Sequence, residues 1–311
     1  MNDEARRRTT AWLQLLRVSA LFTVPGDALA GAAAVGGRPG RGTLLAAGSS
    51  LCLYEAGMAL NDWADREEDA VERPERPLPS GRLAPSTVLA AAGGLTAAGL
   101  GLAAAAGRRA GPTLPVASAL AATVWAYDLR LKHTRAGPAA MAAARGLDLL
   151  LGAAATARGP GMRRALGPAG LLSAHTLAVT GVSREETRGG SARAPLLALG
   201  TVAGVAAVAG RRRQNPSDTR GLSGAGRSTR WAAASVQAAA GLYGAAAARP
   251  LAHAALNPSP PLVQRAVGGG IRAMIPLQAA LTARTGAWRT ALPLLGLLPL
   301  SRRLSRKVSP T

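Results

Sequence analysis

The chain is dominated by long segments that carry almost no charged residues. One of them, at positions 84 to 106, reads APSTVLAAAGGLTAAGLGLAAAA and has no polar stripe that could face water. A helix of about 20 mostly apolar residues crosses a bilayer, so such segments favour membrane helices over a soluble helical bundle. We therefore predict an all-α polytopic membrane protein. Its nine or ten transmembrane helices are expected at 17–36, 42–61, 85–106, 111–128, 138–157, 166–183, 194–210, 230–248, 262–283 and 286–301.

The composition agrees with a membrane protein once the kind of apolar residue is considered. The mean hydropathy is only +0.14, because alanine and glycine fill the apolar segments in place of larger residues. Small residues let transmembrane helices approach closely. The net charge is +21, yet the basic residues lie in short clusters between apolar segments. This distribution indicates membrane topology rather than nucleic-acid binding, which would favour a basic stripe with interleaved aromatics.

The distribution of arginine and lysine also predicts an orientation. More basic residues fall in the loops on one side of the predicted helices, and this side is expected to be cytoplasmic, together with the N-terminus. The stretch 211–230 is rich in turn-forming residues and predicts a polar loop that is irregular or disordered. We expect residues 1–311 to form a single transmembrane domain.

An acidic island interrupts the apolar pattern: NDWADREEDAVERPERPLPSG occupies positions 61–81. Asn61, Asp65 and Asp69 are each four residues apart, so on a continuous helix they would lie on one face. Stacked like charges repel, and a divalent cation would relieve that repulsion. Carboxylate and amide oxygens are ligands that suit Mg²⁺, and Asp62 lies beside the same face.

Two arginines follow this island in the proline-rich stretch RPERPLPSGRL. Arg73 and Arg76 carry guanidinium groups, which can bind a diphosphate through two parallel hydrogen bonds. The prolines end the helix and stiffen the loop. The alternative interpretation is a solvated charged loop that only joins two helices.

The pattern N-D-x-x-D-x-x-x-D at 61–69, followed by RPERPLPSG, resembles the UbiA-type superfamily of intramembrane prenyltransferases. The stretch YDLRLKHTRAGPAAMAAARGLDLLLGA at 127–153 is similar to the same superfamily's Tyr/Lys segment and the helix after it. The resemblance implies a helical bundle around a central apolar cavity. It also implies a Mg²⁺ site, with Asp65, Asp69 and Lys132 as catalytic residues. The diphosphate would be bound by Arg73, Arg76, Tyr127, Lys132 and Arg145.

One part of the superfamily's pattern is altered. A second acidic motif is expected after the sixth helix, but positions 180–191 read TGVSREETRGGS and contain no aspartate. Glu185 is the candidate that could complete the metal site, which otherwise consists of Asn61, Asp62, Asp65 and Asp69. The pattern AGP…RGL…LLLGA, with the glycine pair that follows the altered motif, resembles the EboC-like branch of the superfamily. The three histidines show no metal-ligand spacing, so none is predicted to bind metal.

Ionisable residues inside the predicted helices are costly and usually face an interior cavity. Arg145 and Asp148 are three residues apart and could neutralise each other, whereas Asp27 could pair with Arg17, stay neutral or help to hold a second substrate. These residues keep open a second hypothesis, a polytopic transporter or flippase.

The resemblance implies Mg²⁺-dependent transfer of a prenyl group from a prenyl diphosphate to a lipophilic acceptor within the membrane. A third hypothesis, suggested by the altered second motif, is a relative that binds prenyl diphosphate or another lipid but has lost catalysis. No motif specifies the prenyl length or the acceptor.

Overall fold

A computed structural model describes residues 3–16, 23–107, 111–157, 160–185, 191–211 and 226–297, and all regular structure within these ranges is helical. Two short irregular helices interrupt the series: a π-helical turn at Tyr127–Leu131 and a 3₁₀ helix at Pro160–Ala165. The α-helices are α1 Asp3–Leu15, α2 Val24–Ala34, α3 Arg41–Ala64, α4 Arg66–Glu72, α5 Pro85–Ala106, α6 Thr113–Ala126, α7 Gly137–Thr156, α8 Leu166–Ser183, α9 Arg193–Ala209, α10 Gly226–Leu256, α11 Pro260–Ala283 and α12 at 288–297.

Proline marks where several of these helices begin. Helices α2, α5, α7 and α11 each carry proline at the first or second helical position. Proline fits there because the amide that it lacks would have no partner within the helix. Helix α10 continues through Arg249 and Pro250, beyond the predicted end of this segment at position 248. The predicted loop at 211–230 lies mostly outside the described residues, but 226–230 already belong to α10.

The helices pack through small side chains, as the alanine and glycine content predicts. Helix α3 packs along α5, α10 packs along α11, and α7 contacts α2, α6 and α8. Helices α2 and α7 approach so closely that their backbones touch. A methyl group on Gly31 would overlap the carbonyl oxygen of Leu149, and one on Gly152 would overlap the backbone of Ala28. Glycine is therefore required at this crossing.

Within the described residues, four helical segments are long and apolar enough to cross a membrane. They are α3, α5, α7 and Gly161–Ser183, while α9 is apolar but shorter. The chain is therefore a multi-pass membrane protein with an all-helical fold. The predicted count of nine or ten crossings is not confirmed. The predicted segment 17–36 is represented by the short helix α2, since 17–22 lie outside the described residues. The single-domain assignment of 1–311 stays a prediction.

A candidate active site at the mouth of a central cavity

A cavity of about 410 Å³ lies between helices α3, α6, α7, α8 and α11. Its polar lining residues fall in two groups. One group, with Asn61 and Asp128, lies at the C-terminal end of α3, and the other, with Ser50 and Asp148, lies deeper. Ser50 precedes Asn61 by 11 residues on one helix, which separates the two levels by about 16 Å. Between them the wall is mostly apolar and includes Leu53, Leu120, Val124, Met141, Val179 and Met274.

The acidic island folds as two helices with Asp65 at their junction. Helix α3 ends at Ala64 and α4 begins at Arg66, but the amide of Asp65 still donates to the Asn61 carbonyl (2.9 Å). The amide of Asp69 donates to the Asp65 carbonyl (2.8 Å), so helical spacing continues through the junction. The side chains nevertheless form two groups instead of the single predicted row. Asp65 contacts Lys132, whereas Asp69 contacts arginines of the following loop.

Arg76 joins two of the predicted metal ligands. Its Nη1 atom lies 2.7 Å from Asp69 Oδ2 and 3.6 Å from Asp62 Oδ1. Asp62 and Asp69 are seven residues apart, which is two helical turns, so both can meet one guanidinium. Arg73 is more distant, at 4.0 Å from Asp69 Oδ1, and its side chain is 53% exposed. Two of the three predicted diphosphate-binding arginines, Arg73 and Arg76, thus lie beside the acidic island.

The π-helical turn determines how the Tyr/Lys segment faces this island. The amide of Lys132 donates to the carbonyl of Tyr127 (2.9 Å), five residues earlier. On an α-helix, residues five apart point in different directions, whereas the wider π turn brings them closer to one face. Lys132 Nζ contacts Asp65 Oδ1, and Tyr127 lines the cavity. The structure therefore brings Asp65, Tyr127 and Lys132 to the same mouth.

Asp128 is a residue of this mouth that the sequence analysis did not select. It lines the cavity, is only 5% exposed, and accepts a hydrogen bond from Asn61 Nδ2 (3.4 Å). It lies beyond the end of α6, and burial raises its pKa to about 7, against the opposing effects of Lys132 and the Asn61 hydrogen bond. The only signal in the sequence was an acidic residue directly after Tyr127.

His133 is also part of the mouth, although its spacing predicted no metal binding. One ligand atom from each of Asp65, Glu68 and His133 lies within 4.8 Å of the others, and in the part of the chain that the structure describes this is the one such group. Glu68 and His133 are exposed, whereas Asp128, which lines the cavity, is buried. Sequence distance hides this group, because His133 is far from the acidic island along the chain.

Glu185 lies just beyond the end of α8, whose residues Thr180 and Ser183 line the cavity. Its Oε2 atom is buried and has no hydrogen-bond partner among the described residues. The neighbouring Arg184 contacts the carbonyl oxygen of Thr134, which follows the π turn. The end of α8 therefore borders the same mouth. Glu186 lies outside the described residues.

Arg145 does not lie at the mouth. Its guanidinium is bonded at the deep level to Asp27 Oδ2 (2.7 Å) and Thr23 Oγ1 (3.1 Å), with Asp148 Oδ2 at 3.9 Å. Asp27 therefore pairs with Arg145, whereas its predicted partner Arg17 lies outside the described residues. We call Asp27, Arg145 and Asp148, with Thr23, Ser50 and Gln278, the deep polar layer. Ser50 donates to Asp148, and Gln278 donates to Asp27.

Comparison with known proteins identifies the family. Residues 19–209 match the UbiA prenyltransferase family, which is more than half of the chain. The chain belongs to the UbiA prenyltransferase family. Membership of the EboC-like branch stays a prediction.

Two curated relatives of this UbiA chain are digeranylgeranylglyceryl phosphate synthases. The protein from Methanopyrus kandleri is 36% identical over 129 residues, covering 40% of this chain and 45% of the relative. The protein from Ignicoccus hospitalis is 35% identical over 162 residues, covering 51% of each. The chain thus spans about half the length of the curated relatives that it matches.

Solved structures of UbiA proteins share the fold over most of the chain. A digeranylgeranylglyceryl phosphate synthase structure aligns with a TM-score of 0.60 at 16% identity, covering 91% of this chain and 99% of that one. A UbiA homologue from Archaeoglobus fulgidus, described as bound to DMAPP and Mg²⁺, aligns with a TM-score of 0.54 at 15% identity. That alignment covers 89% of this chain and 98% of the other.

Proposed function

We propose that this protein transfers a prenyl group from a prenyl diphosphate to a lipophilic acceptor inside the membrane, in a Mg²⁺-dependent reaction. The observation that carries the proposal is the placement of Asn61, Asp65, Tyr127, Asp128 and Lys132 at the mouth of a mostly apolar cavity. Membership of the UbiA family and the Archaeoglobus fulgidus homologue with DMAPP and Mg²⁺ support it.

The residues at the mouth fit a hard divalent cation. Asn61 and Asp65 supply amide and carboxylate oxygens, and Mg²⁺ binds through one or two protein carboxylates while it keeps waters and phosphate oxygens as further ligands. The buried Oε2 atom of Glu185 lacks a hydrogen-bond partner in the described part of the chain and could coordinate the metal. Asp62 and Asp69 could join only if Arg76 moved away. When bound, Mg²⁺ would neutralise the charge that develops on the departing diphosphate.

The basic residues of the mouth would bind the diphosphate directly. Lys132 now contacts Asp65, and Arg76 now contacts Asp69. Diphosphate oxygens would replace these carboxylates as partners, so the cations need only short side-chain movements to reach the substrate. Arg73, whose side chain is half exposed, would approach from the loop, and the Tyr127 hydroxyl would donate a further hydrogen bond.

The cavity would hold the prenyl tail and exclude water. When the carbon–oxygen bond of the donor breaks, its electron pair leaves with the diphosphate and an allylic cation remains. A nucleophilic oxygen or carbon of the acceptor then forms the new bond and loses its proton. The apolar wall formed by Leu53, Val124 and Val179 keeps bulk water from quenching the cation.

We propose that this mouth lies on the cytoplasmic side. The basic loops next to the acidic island and the π turn favour that side. A cysteine introduced at the exposed Glu67 should react with a membrane-impermeant maleimide only from the cytoplasmic side, with Cys52 replaced by alanine. Labelling from the opposite side in intact cells would contradict the orientation.

Catalysis is tested with the purified full chain in lipid nanodiscs. With Mg²⁺, a panel of labelled prenyl diphosphates and a membrane lipid extract as acceptor source, we expect pyrophosphate release and a labelled prenylated lipid. Asp65→Asn should lower the rate by at least about 100-fold, since an oxygen ligand and its charge are lost. Absence of both turnover and Mg²⁺-dependent donor binding would refute the proposal.

Binding without turnover for every donor would instead support the alternative, a lipid diphosphate-binding or transport protein. The altered second motif is the observation that favours this alternative, because positions 180–191 offer Glu185 and Glu186 but no aspartate.

A further inference from the structure

Asp128 differs from the other carboxylates of the mouth in its charge environment. Asp65 contacts Lys132, while Asp62 and Asp69 share Arg76. In the described part of the chain, Asp128 has no basic nitrogen within 4 Å, although its side chain is buried. Its hydrogen bond comes from the neutral amide of Asn61 at 3.4 Å, which is long for a bond to a carboxylate. A buried carboxylate normally pairs with a cation.

Asp128 lies in the π-helical turn, directly after Tyr127. There it lines the cavity and accepts a hydrogen bond from Asn61, at the end of α3. A single π turn costs stability and is frequent at functional sites. Here the turn carries a buried carboxylate at the mouth, beside the end of α3.

The end of α8 supplies fewer ligands than the resemblance leads one to expect. Ser183 lines the cavity, but the segment that follows contains no aspartate. Glu185 is its single carboxylate among the described residues. A further oxygen donor for a metal site at the mouth has to come from a different element, and Asp128 is the buried carboxylate in reach of Asn61.

We propose that Asp128 is a metal ligand of this protein, supplied by the π turn in place of the missing carboxylates after α8. This inference rests on the proposed function, because it concerns the same Mg²⁺ site. Asn61 would take part by turning its amide so that the side-chain oxygen, rather than the nitrogen, points toward the ion. The carboxylate of Asp128 would then exchange its hydrogen bond for a bond to the metal.

A purely structural role for Asp128 makes a different prediction. If the carboxylate served only to accept the hydrogen bond from Asn61, then Asp128→Asn would retain shape and hydrogen bonding, and metal binding would not change. If the carboxylate binds metal, the same change removes a charged ligand and weakens binding. Asparagine is nearly isosteric with aspartate, so the two roles separate cleanly in this variant.

The experiment measures Mn²⁺ binding by electron paramagnetic resonance on the full chain in detergent, with and without inorganic pyrophosphate. We expect Asp128→Asn to raise the Kd for Mn²⁺ by about tenfold or more, in the range found when groups that support a metal site are removed. Asp128→Glu should retain most of the affinity. The control is Glu67→Gln, which removes the same charge from an exposed side chain of α4 and should leave the Kd unchanged.

A second readout shows whether the fold is affected. Without metal, the melting temperature of Asp128→Asn should equal that of the parent protein, and the increase produced by Mn²⁺ with pyrophosphate should be lost. A lower melting temperature without metal, together with an unchanged Kd, would assign Asp128 a structural role and overturn the inference.

Asp65→Asn separates this inference from the proposed function. If Asp65→Asn weakens Mn²⁺ binding and Asp128→Asn does not, the metal site stands and the inference about Asp128 is wrong. If neither variant nor the parent protein binds Mn²⁺ at the mouth, the proposed Mg²⁺ site fails, and the inference fails with it.

Discussion

The cavity has ionisable residues at both ends, and the two groups are arranged differently. In the deep polar layer, Arg145 is held by Asp27 and Thr23, and Gln278 donates to both Asp27 and the Thr23 carbonyl at 2.7 Å. Asp27 is fully buried. At the mouth, Arg73 is half exposed, Asp128 has no basic nitrogen within 4 Å among the described residues, and Glu185 has an unpaired oxygen.

This difference separates a structural ion pair from a binding site. The charged groups of the deep polar layer are all paired, and exchanging the partners of buried charges is costly. The buried atom of this layer that has no hydrogen-bond partner among the described residues is Oε1 of the neutral Gln278. Groups that must bind and release a charged substrate need partners that can be exchanged at low cost. The mouth has this property, because the side chains of Arg73 and Arg76 are 53% and 23% exposed, and that of Asp65, the partner of Lys132, is 21% exposed.

The largest expected effect comes from breaking the deep polar layer. Arg145→Met leaves Asp27 and Asp148 buried without their cation, and loss of one partner of a buried pair typically costs about 3–5 kcal/mol. We expect a much lower yield of folded protein and a large fall in melting temperature, measured in detergent by intrinsic tryptophan fluorescence. Unchanged stability together with lost donor binding would instead make Arg145 a substrate-binding residue, as the sequence analysis predicted.

A smaller effect, and of a different kind, is expected from Lys132→Met. The fold should be unchanged, because Lys132 forms a single ion pair among the described residues, and its partner Asp65 is 21% exposed. Binding of a prenyl diphosphate should weaken by about 10- to 100-fold, the range for hydrogen bonds to charged groups. Isothermal titration with a non-hydrolysable thiolo analogue measures this. Equal loss of stability in both variants would erase the contrast between the two regions.

The smallest effect is expected from Arg73→Gln. This side chain is 53% exposed and lies 4.0 Å from Asp69, and exposed ion pairs contribute at most about 1 kcal/mol. We expect donor affinity to fall less than about fivefold and stability to stay constant. Arg76→Gln is tested beside it. Donor affinity should fall further in this variant, because Arg76 is more buried and contacts both Asp62 and Asp69. An Arg73 effect as large as that of Lys132 would place the diphosphate nearer to the loop.

The sequence predicted best those features that depend on local pattern. The segment 85–106 is helix α5 with the predicted bounds, because hydropathy and an N-terminal proline both report local structure. Lys132 was predicted through a motif. The partner of Arg145 was not predicted, because Asp27 is 118 residues away along the chain and only the packing of α2 on α7 brings the two residues together.

Asp128 was missed for a related reason. The segment was recognised through its motif residues Tyr127 and Lys132, and Asp128 is not one of these. Asp128 and Asn61 are 67 residues apart along the chain, so their contact could not be deduced from spacing. The division of the acidic island around Asp65 was missed similarly, because whether Asp69 faces Asp65 or Arg76 depends on the loop that follows.

The glycine contact between α2 and α7 has a consequence for the charges beside it. Gly31 lies one turn after Asp27, and Gly152 lies one turn after Asp148. Each charged residue is therefore adjacent to the point where its helix touches the other backbone. Any side chain at either glycine would push the helices apart and lengthen the 2.7 Å contact between Asp27 and Arg145. Because Gly31 and Gly152 each have a hydrogen atom where any other residue has Cβ, the two helices stay close enough to keep this ion pair in contact.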